Sequence, residues 1–232
     1  RFLFAGDPFQ LMPVGATPSM GDRLEAEKKN IVLRGFATDN IFTLAGIDRF
    51  SLEEAPALPG ARIDRLAKNY RSGRSIVKAF SRTFYEDGVT SARNNDDHAI
   101  TLGSEPLPPI GLWSFPALVP EKGTPADDML NPATIIPFEH SAVHVHSALL
   151  AARLAVVPAT ENPGKRVIII CPYVRQVRVC QTLLEPFNKD KSADDGAEAV
   201  KPVEVSSVHR YQGGEAEVVI FLLNPSASSK RA

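Results

Sequence analysis

The chain has 232 residues, 44% of them hydrophobic and 23% charged, which supports a buried core and excludes a disordered or fibrous polypeptide. Lys+Arg 26 against Asp+Glu 27 leaves a formal charge of -1, so no global basic field exists and any nucleic-acid contact has to come from a local groove. Two cysteines are too few for a disulfide framework, and no apolar run approaches a membrane span. An intracellular protein, cytoplasmic or nuclear, not secreted and without membrane contact, is expected.

In chain order, Phe2 to Ala5 predicts a short buried strand stopped by Gly6-Asp7-Pro8, and Pro13 and Pro18 keep the next segment out of a helix. Residues Asp22 to Arg34 are helix-compatible, and "FATDNIFTLAGI" suits a short helix with Asp39 as N-cap. Asn69-Tyr70-Arg71 reads as extended. Ser75, Ile76, Ala79, Phe80 and Phe84 then fall at helical spacing, with Ser72 or Ser75 as cap and Gly88 as stop. Residues 91–137 are polar and proline-rich, with a strand expected over 110–119.

From Ser141 to Val157 the apolar periodicity is that of a helix. "KRVIIICPY" is a continuous apolar run, as in a strand buried on both faces of a parallel sheet. "VRQVRVCQTLLEPF" follows as a helix and "NKDKSADDGAEAVK" as a solvated loop. "VEVSSVHRYQGGEAEVVIFLL" reads as strand, turn with a short helix, strand. This alternation predicts an α/β fold, a parallel sheet with flanking crossover helices.

Open α/β sheets place ligands beyond the carboxyl ends of their strands, so strand-end polar residues are candidates for chemistry. Asp7 is suited to bracing a loop or orienting a metal-bound water, and Gln10, donor and acceptor at once, to touching a phosphate. Each is equally a turn or surface residue. Arg71, between an aromatic residue and a helix, is placed for a bidentate phosphate contact or for a surface ion pair. In "HRYQGGEAEVVIF" the paired glycines let backbone approach a ligand, or merely turn the chain into a strand.

"ICPYVRQ" sets an aromatic residue and a glutamine at a strand end, which suits stacking on single-stranded nucleic acid and also an ordinary strand-to-helix junction. His140, His144 and His146 lack an acidic or Cys partner at ligand spacing, and no metal site is expected. A phosphate loop, G-x-x-x-x-G-K-[ST], is absent: Gly164-Lys165 is followed by Arg166 and preceded by Ala159 at the first glycine position.

Taken in order, these pieces resemble superfamily 1 helicases of the RNA-decay and replication type, with a RecA-like tandem core. "GDPFQLMPV" is similar to their motif III. "LAKNYRSGRSIVKAFSRTFYEDGV" resembles the segment around the Gln-Tyr-Arg or Asn-Tyr-Arg motif with its trailing Phe-Tyr-x-Gly. "IIICPYVRQVRVCQTLL" resembles the Thr-Pro-Tyr-x-x-Gln strand and helix, and "VEVSSVHRYQGGEAEVVIFLL" resembles motif V.

The resemblance implies a P-loop NTPase fold. Residues 1–20 would be the end of a first RecA-like domain, 21–61 a helical connection and 62–232 the second domain. It implies that Gln10 senses the γ-phosphate with support from Asp7, and that Arg71 is an arginine finger. Gly213, Glu215 and, beside them, Gln212 face the nucleotide, with Glu215 on the ribose; Pro172, Tyr173 and Ser207 lie along the nucleic-acid backbone. ATP and Mg2+ are the implied cofactors of the full-length protein, with none for this chain alone, which is expected not to hydrolyse ATP.

The implied partners are single-stranded RNA or DNA and a first RecA-like domain of the same chain. His209 stands where the family has Asp, Gly214 where Arg is common, and Cys171 replaces a Thr. These departures bear on nucleic-acid contact more than on nucleotide sensing. The alternatives are a non-catalytic, helicase-derived module that binds nucleic acid or protein, and an unrelated α/β scaffold.

Overall fold

The computed structural model describes residues 3, 5–9, 41–47, 49–93, 100–103, 105–113, 134–138, 141–191 and 199–223. The chain divides into two compact units, Arg1–Asp97 and His98–Ala232. The expected domain over 62–232 has residues in both.

In the second unit the apolar run becomes β7 (Val167–Cys171), the middle of a three-stranded sheet with β8 (Glu204–Ser207) and β9 (Val218–Phe221) at its sides. Both pairings are parallel, with Cys171 opposite Ser207 and Val167 opposite Val218. Parallel neighbours need crossovers. The helix α4 (Val174–Lys191) joins β7 to β8.

The helix α3 (Val145–Glu161) precedes β7. Its Ala148, Ala151, Ala152, Ala155 and Ala159 form one buried stripe and share a core with Val167, Ile169 and Cys171 of β7 and Cys180 and Leu184 of α4. Residues that small let the helix backbone come close to its neighbours, so the core is filled by the sheet's branched side chains.

Two short hairpins flank this layer: β3 (Thr101–Leu102) with β4 (Glu105–Pro106), and β5 (Ile136–Phe138) with β6 (Ser141–Val143). The first is tied to the end of α3. Asn162 accepts from Thr101 N–H at 3.3 Å and donates back to Thr101 O at 3.2 Å, and Glu161 accepts from Gly103 N–H at 2.6 Å.

Three expectations shift in this unit. Ser141–Val143 pair as a strand, so the helix begins only after the extended residue His144. Residues 110–113 form no strand, and 114–119 lie outside the described residues. The helix α4 runs on to Lys191, because a Lys189–Glu185 ion pair one turn apart supports it and Asn188 bonds both backbone groups of Val203.

In the first unit, α1 (Ile41–Leu44) precedes β1 (Lys68–Asn69), which pairs in parallel with β2 (Thr90–Ser91) across α2 (Arg74–Phe84). Asp39 lies outside the described residues. The N-cap of α2 is Gly73, without a side-chain cap bond. Ser72 is engaged instead through its backbone, by Asn69 and Ser91. Termination falls on Glu86 and Asp87, at φ 52° and 61°, ahead of Gly88.

Leu3 and Ala5 are in no strand, and Leu3 is 93% exposed. Among the described residues no strand pairs with this segment, so its backbone joins no ladder there.

Two outcomes follow for the core. Ala155→Leu forces a large side chain into the fully packed helix–sheet contact and is expected to cost about 2 kcal/mol, read by chemical denaturation. The Cys171 and Cys180 thiols, both fully buried with sulfurs 3.9 Å apart, interact and are shielded from water, which pushes the Cys171 thiol well above its usual range. Labelling by a thiol reagent is therefore expected to follow unfolding of the unit and not to precede it.

Candidate nucleotide and nucleic-acid site

The pairing of Cys171 with Ser207 brings the carboxyl ends of β7 and β8 side by side, and Val208 N–H continues the ladder to Cys171 O at 3.3 Å. Pro172 and Tyr173 leave β7 there, and Ser207 and Val208 leave β8. Pro172 is exposed and Tyr173 half-buried. Ser207 Oγ accepts from Arg210 N–H at 3.4 Å, and its carbonyl accepts from Tyr211 N–H, so it opens a tight turn with His209 and Arg210 exposed. An aromatic ring, a hydroxyl and an arginine thus share one strand end.

Arg175, in the first turn of α4, adds a second cation, its guanidinium 4.1 Å from the centre of the Phe138 ring. Arg175 and Arg210 were not identified from sequence, because an isolated arginine carries no pattern until the strand register fixes its neighbours.

The glutamine of "CPYVRQ" has a structural task. Gln176 is fully buried; its Oε1 accepts from His144 N–H at 2.8 Å, and its Nε2 donates to His144 O at 3.0 Å and to Ser147 Oγ at 3.4 Å. It clamps the junction of β6 and α3 to the start of α4. Cys171 is also turned into the core, so the missing threonine hydroxyl is a change in packing and not in the groove. His144 and His146 have ring centroids 6.2 Å apart, His140 lies outside the described residues, and among those described no three His, Cys, Asp or Glu groups gather as a metal site.

Gln212, Gly213 and Glu215 lie in the loop from β8 to the amino end of β9. At that end Arg166 N–H donates to Glu217 at 2.8 Å, while the Arg166 guanidinium donates twice to Glu204, at 2.9 and 2.7 Å. Burial opposes ionisation of Glu217, but the Arg166 and Glu217 amides outweigh it and hold its carboxyl below the usual range. Burial pushes the Tyr211 phenol up; Arg166 opposes this, and Glu204, Glu215 and Glu217 add to it. The Tyr211 backbone is thus held at the carboxyl end of β8 through Ser207, while its phenol feels the charges of Arg166, Glu204, Glu215 and Glu217.

Gly213 has φ +83°, which favours glycine, and a Cβ on Gly214 would lie 2.7 Å from the Tyr211 ring. At Gly214 the close neighbour is the Tyr211 ring, whereas a Cβ on Gly213 would meet nothing within 4 Å.

Arg71 and Asp7 belong to the first unit, and Gln10 lies outside the described residues. The exposed Arg71 sits on a turn held from several directions. Asn69 Oδ1 accepts from the N–H groups of Arg71 at 3.0 Å and Ser72 at 2.8 Å, Ser91 Oγ donates to Ser72 O at 2.9 Å, and Arg93 Nε donates to Tyr70 O at 3.2 Å. Ser91 and Arg93 were not legible as partners, since they lie about twenty residues away and meet the turn only through the pairing of β1 with β2. Asp7 Oδ1 accepts from Phe9 N–H at 3.0 Å, bracing its turn.

A family model described as AAA domain matches residues 50–231. The chain belongs to the AAA-domain family. The RNA helicase Mov10l1 of Mus musculus is 26% identical over 231 residues, covering 95% of this chain and 17% of that protein. The Homo sapiens RNA helicase Mov10l1 is 27% identical over 232 residues, again 95% of this chain and 16% of that protein. The chain thus spans about a sixth of the length of these curated relatives.

The resemblance to superfamily 1 helicases is borne out, as is the α/β class with a parallel sheet and flanking helices, the P-loop NTPase-like architecture of this AAA-domain family. Among the described residues no helix is long and apolar enough to cross a membrane.

The Gln176 clamp is open to a direct check. Gln176→Ala strands the buried His144 N–H and is expected to cost about 3 kcal/mol in denaturant unfolding. A loss below about 1 kcal/mol contradicts the clamp.

Proposed function

We propose that this AAA-domain chain works within an ATP-dependent helicase acting on single-stranded RNA, and that it supplies the arginine side of the nucleotide site and part of the strand groove. The observation that carries the reading is the Cys171–Ser207 register, which gathers Tyr173, Ser207 and Arg210 at the carboxyl ends of parallel strands, where sheets of this class bind ligands. The similarity to RNA helicases favours RNA over DNA.

The residues fit a nucleotide in part. Arg71 offers a permanent cation with paired donors on a braced, exposed turn, which suits an anionic phosphate. Glu215 is exposed and suited to accept from a ribose hydroxyl. A cradle of backbone amides is missing at Gly164-Lys165, where Gly164 N–H is spent on Ala199 O at 2.9 Å. In this reading the phosphate loop is supplied by the first RecA-like domain of the same protein. ATP with Mg2+, when bound, supplies the phosphoanhydride whose hydrolysis drives movement.

In this reading Arg71 stabilises negative charge on the phosphates, and Asn69, Ser91 and Arg93 keep its turn in place beforehand so that little ordering is left to do. Asp7 braces the turn that leads in sequence to Gln10. Tyr173 stacks on a base while Ser207 and Arg210 hold the backbone. Gln212 and Gly213 shape the loop that carries Glu215.

A second reading is a helicase-derived module that binds nucleic acid or protein without contributing to hydrolysis. At Gly214 the Tyr211 ring fills the space a side chain would use, so that departure from arginine is built into the packing and bears on nucleic-acid contact.

In the full-length protein Arg71→Ala is expected to lower RNA-stimulated ATP hydrolysis about 1,000-fold while RNA binding by Tyr173 and Ser207 persists. This chain alone is expected to show no hydrolysis. Unchanged turnover in the Arg71 variant, with RNA binding still sensitive to Tyr173→Ala, supports the binding module instead.

A further inference from the structure

Within the first unit the Asp7 side chain fastens the Gly6–Phe9 turn. The Tyr85 hydroxyl donates to Asp7 Oδ2 at 2.6 Å, while Asp7 Oδ1 accepts from Phe9 N–H at 3.0 Å. One carboxylate oxygen closes the turn and the other ties it to residue 85. Burial and the adjacent carboxylate both push the Tyr85 phenol up, so it stays a donor through the neutral range.

The ring of Tyr85 is itself fixed. Phe9, Phe50 and Phe80 meet it edge-on, with centroids at 5.1, 5.6 and 5.8 Å. Its backbone is fixed as well. Tyr85 is the C-cap of α2, its N–H donating to Ser81 O at 2.8 Å, and Ser81 Oγ accepts from Val89 N–H at 3.0 Å beyond the helix end. The other end of α2 starts three residues after Arg71. The Phe42 ring also lies so close to Gly6 that a Cβ there would sit 2.7 Å from it.

We propose that Tyr85 is a positioning residue that holds the Asp7 turn against the helix whose start carries Arg71, so that the two polar segments of the first unit move as one body. The functional half of this inference rests on the helicase reading; the geometric half does not. A loose Asp7 turn has to be ordered in each catalytic cycle, whereas a pinned one is already in place.

Tyr85→Phe keeps the ring cluster and removes only the hydroxyl, which makes it the decisive variant. In the full-length protein it is expected to speed amide exchange over residues 5–9 about tenfold, with the melting temperature unchanged within 2–3 °C, an order-of-magnitude expectation. ATP turnover, kcat, is expected to fall about tenfold with KM for ATP unchanged, the mark of a lost positioning contact and not of weakened binding. Combining it with Asp7→Ala slows turnover no further than Asp7→Ala alone, because both changes break the same link.

Unchanged exchange over residues 5–9 overturns the pinning. Faster exchange with unchanged kcat, in a protein whose turnover does depend on Arg71, overturns the positioning role. Turnover that does not depend on Arg71 contradicts the helicase reading instead, and the exchange result still judges the pinning.

Discussion

The central constraint in this molecule is that β7 is hydrogen-bonded in parallel on both of its edges. Its side chains are also buried on both faces, with only Ile170 half-buried, which is why its sequence is unbroken Val-Ile-Ile-Ile-Cys. Parallel pairing obliges the chain to cross over through α4, and the crossover needs a tight exit from the strand, which Pro172 and Tyr173 provide. The same pairing sets Ser207 opposite Cys171. The candidate groove is thus a by-product of core formation: the residues that would touch a strand of RNA are those left over where two parallel strands end together.

Much of this was legible because it rests on local patterns. The apolar run, the helix after it and the strand–turn–strand beyond it all carry periodicity that hydrophobic burial dictates. Ser141–Val143 misled because three apolar or small residues before a helix fit either state, and only the antiparallel partner Ile136–Phe138 decides between them. The strand ends of the candidate site are legible in the sequence, but the side-chain partners there are not. Glutamine 176 carries the chemistry of a ligand-binding residue and spends all of it on the backbone of His144 and on Ser147, a partner some thirty residues away that no spacing rule reveals. Cys171 reads from its apolar run as a buried small hydrophobe, and it is one: Val167, Ile169 and Cys171 share the helix-facing side of the strand.

In the first unit a different device does the positioning. The helix α2 is short, but its ends are held by side chains from distant positions: Asn69, Ser91 and Arg93 at the start, and Tyr85 with Asp7 at the finish. Neither arrangement is periodic, and each depends on polar atoms meeting after the backbone has folded. That is the general reason family motifs inform here where periodicity cannot. The Asn69-Tyr70-Arg71 and Phe84-Tyr85 pieces of the resemblance mark the two anchored ends of one helix.

The most direct test of the account is a structure of the full-length protein with a transition-state nucleotide analogue and a single-stranded oligoribonucleotide. The Arg71 guanidinium is expected in hydrogen-bond contact with the terminal phosphate mimic, and the strand is expected to run over Tyr173 and Ser207. A terminal phosphate mimic bound away from Arg71, or a strand that avoids the carboxyl ends of β7 and β8, would contradict this.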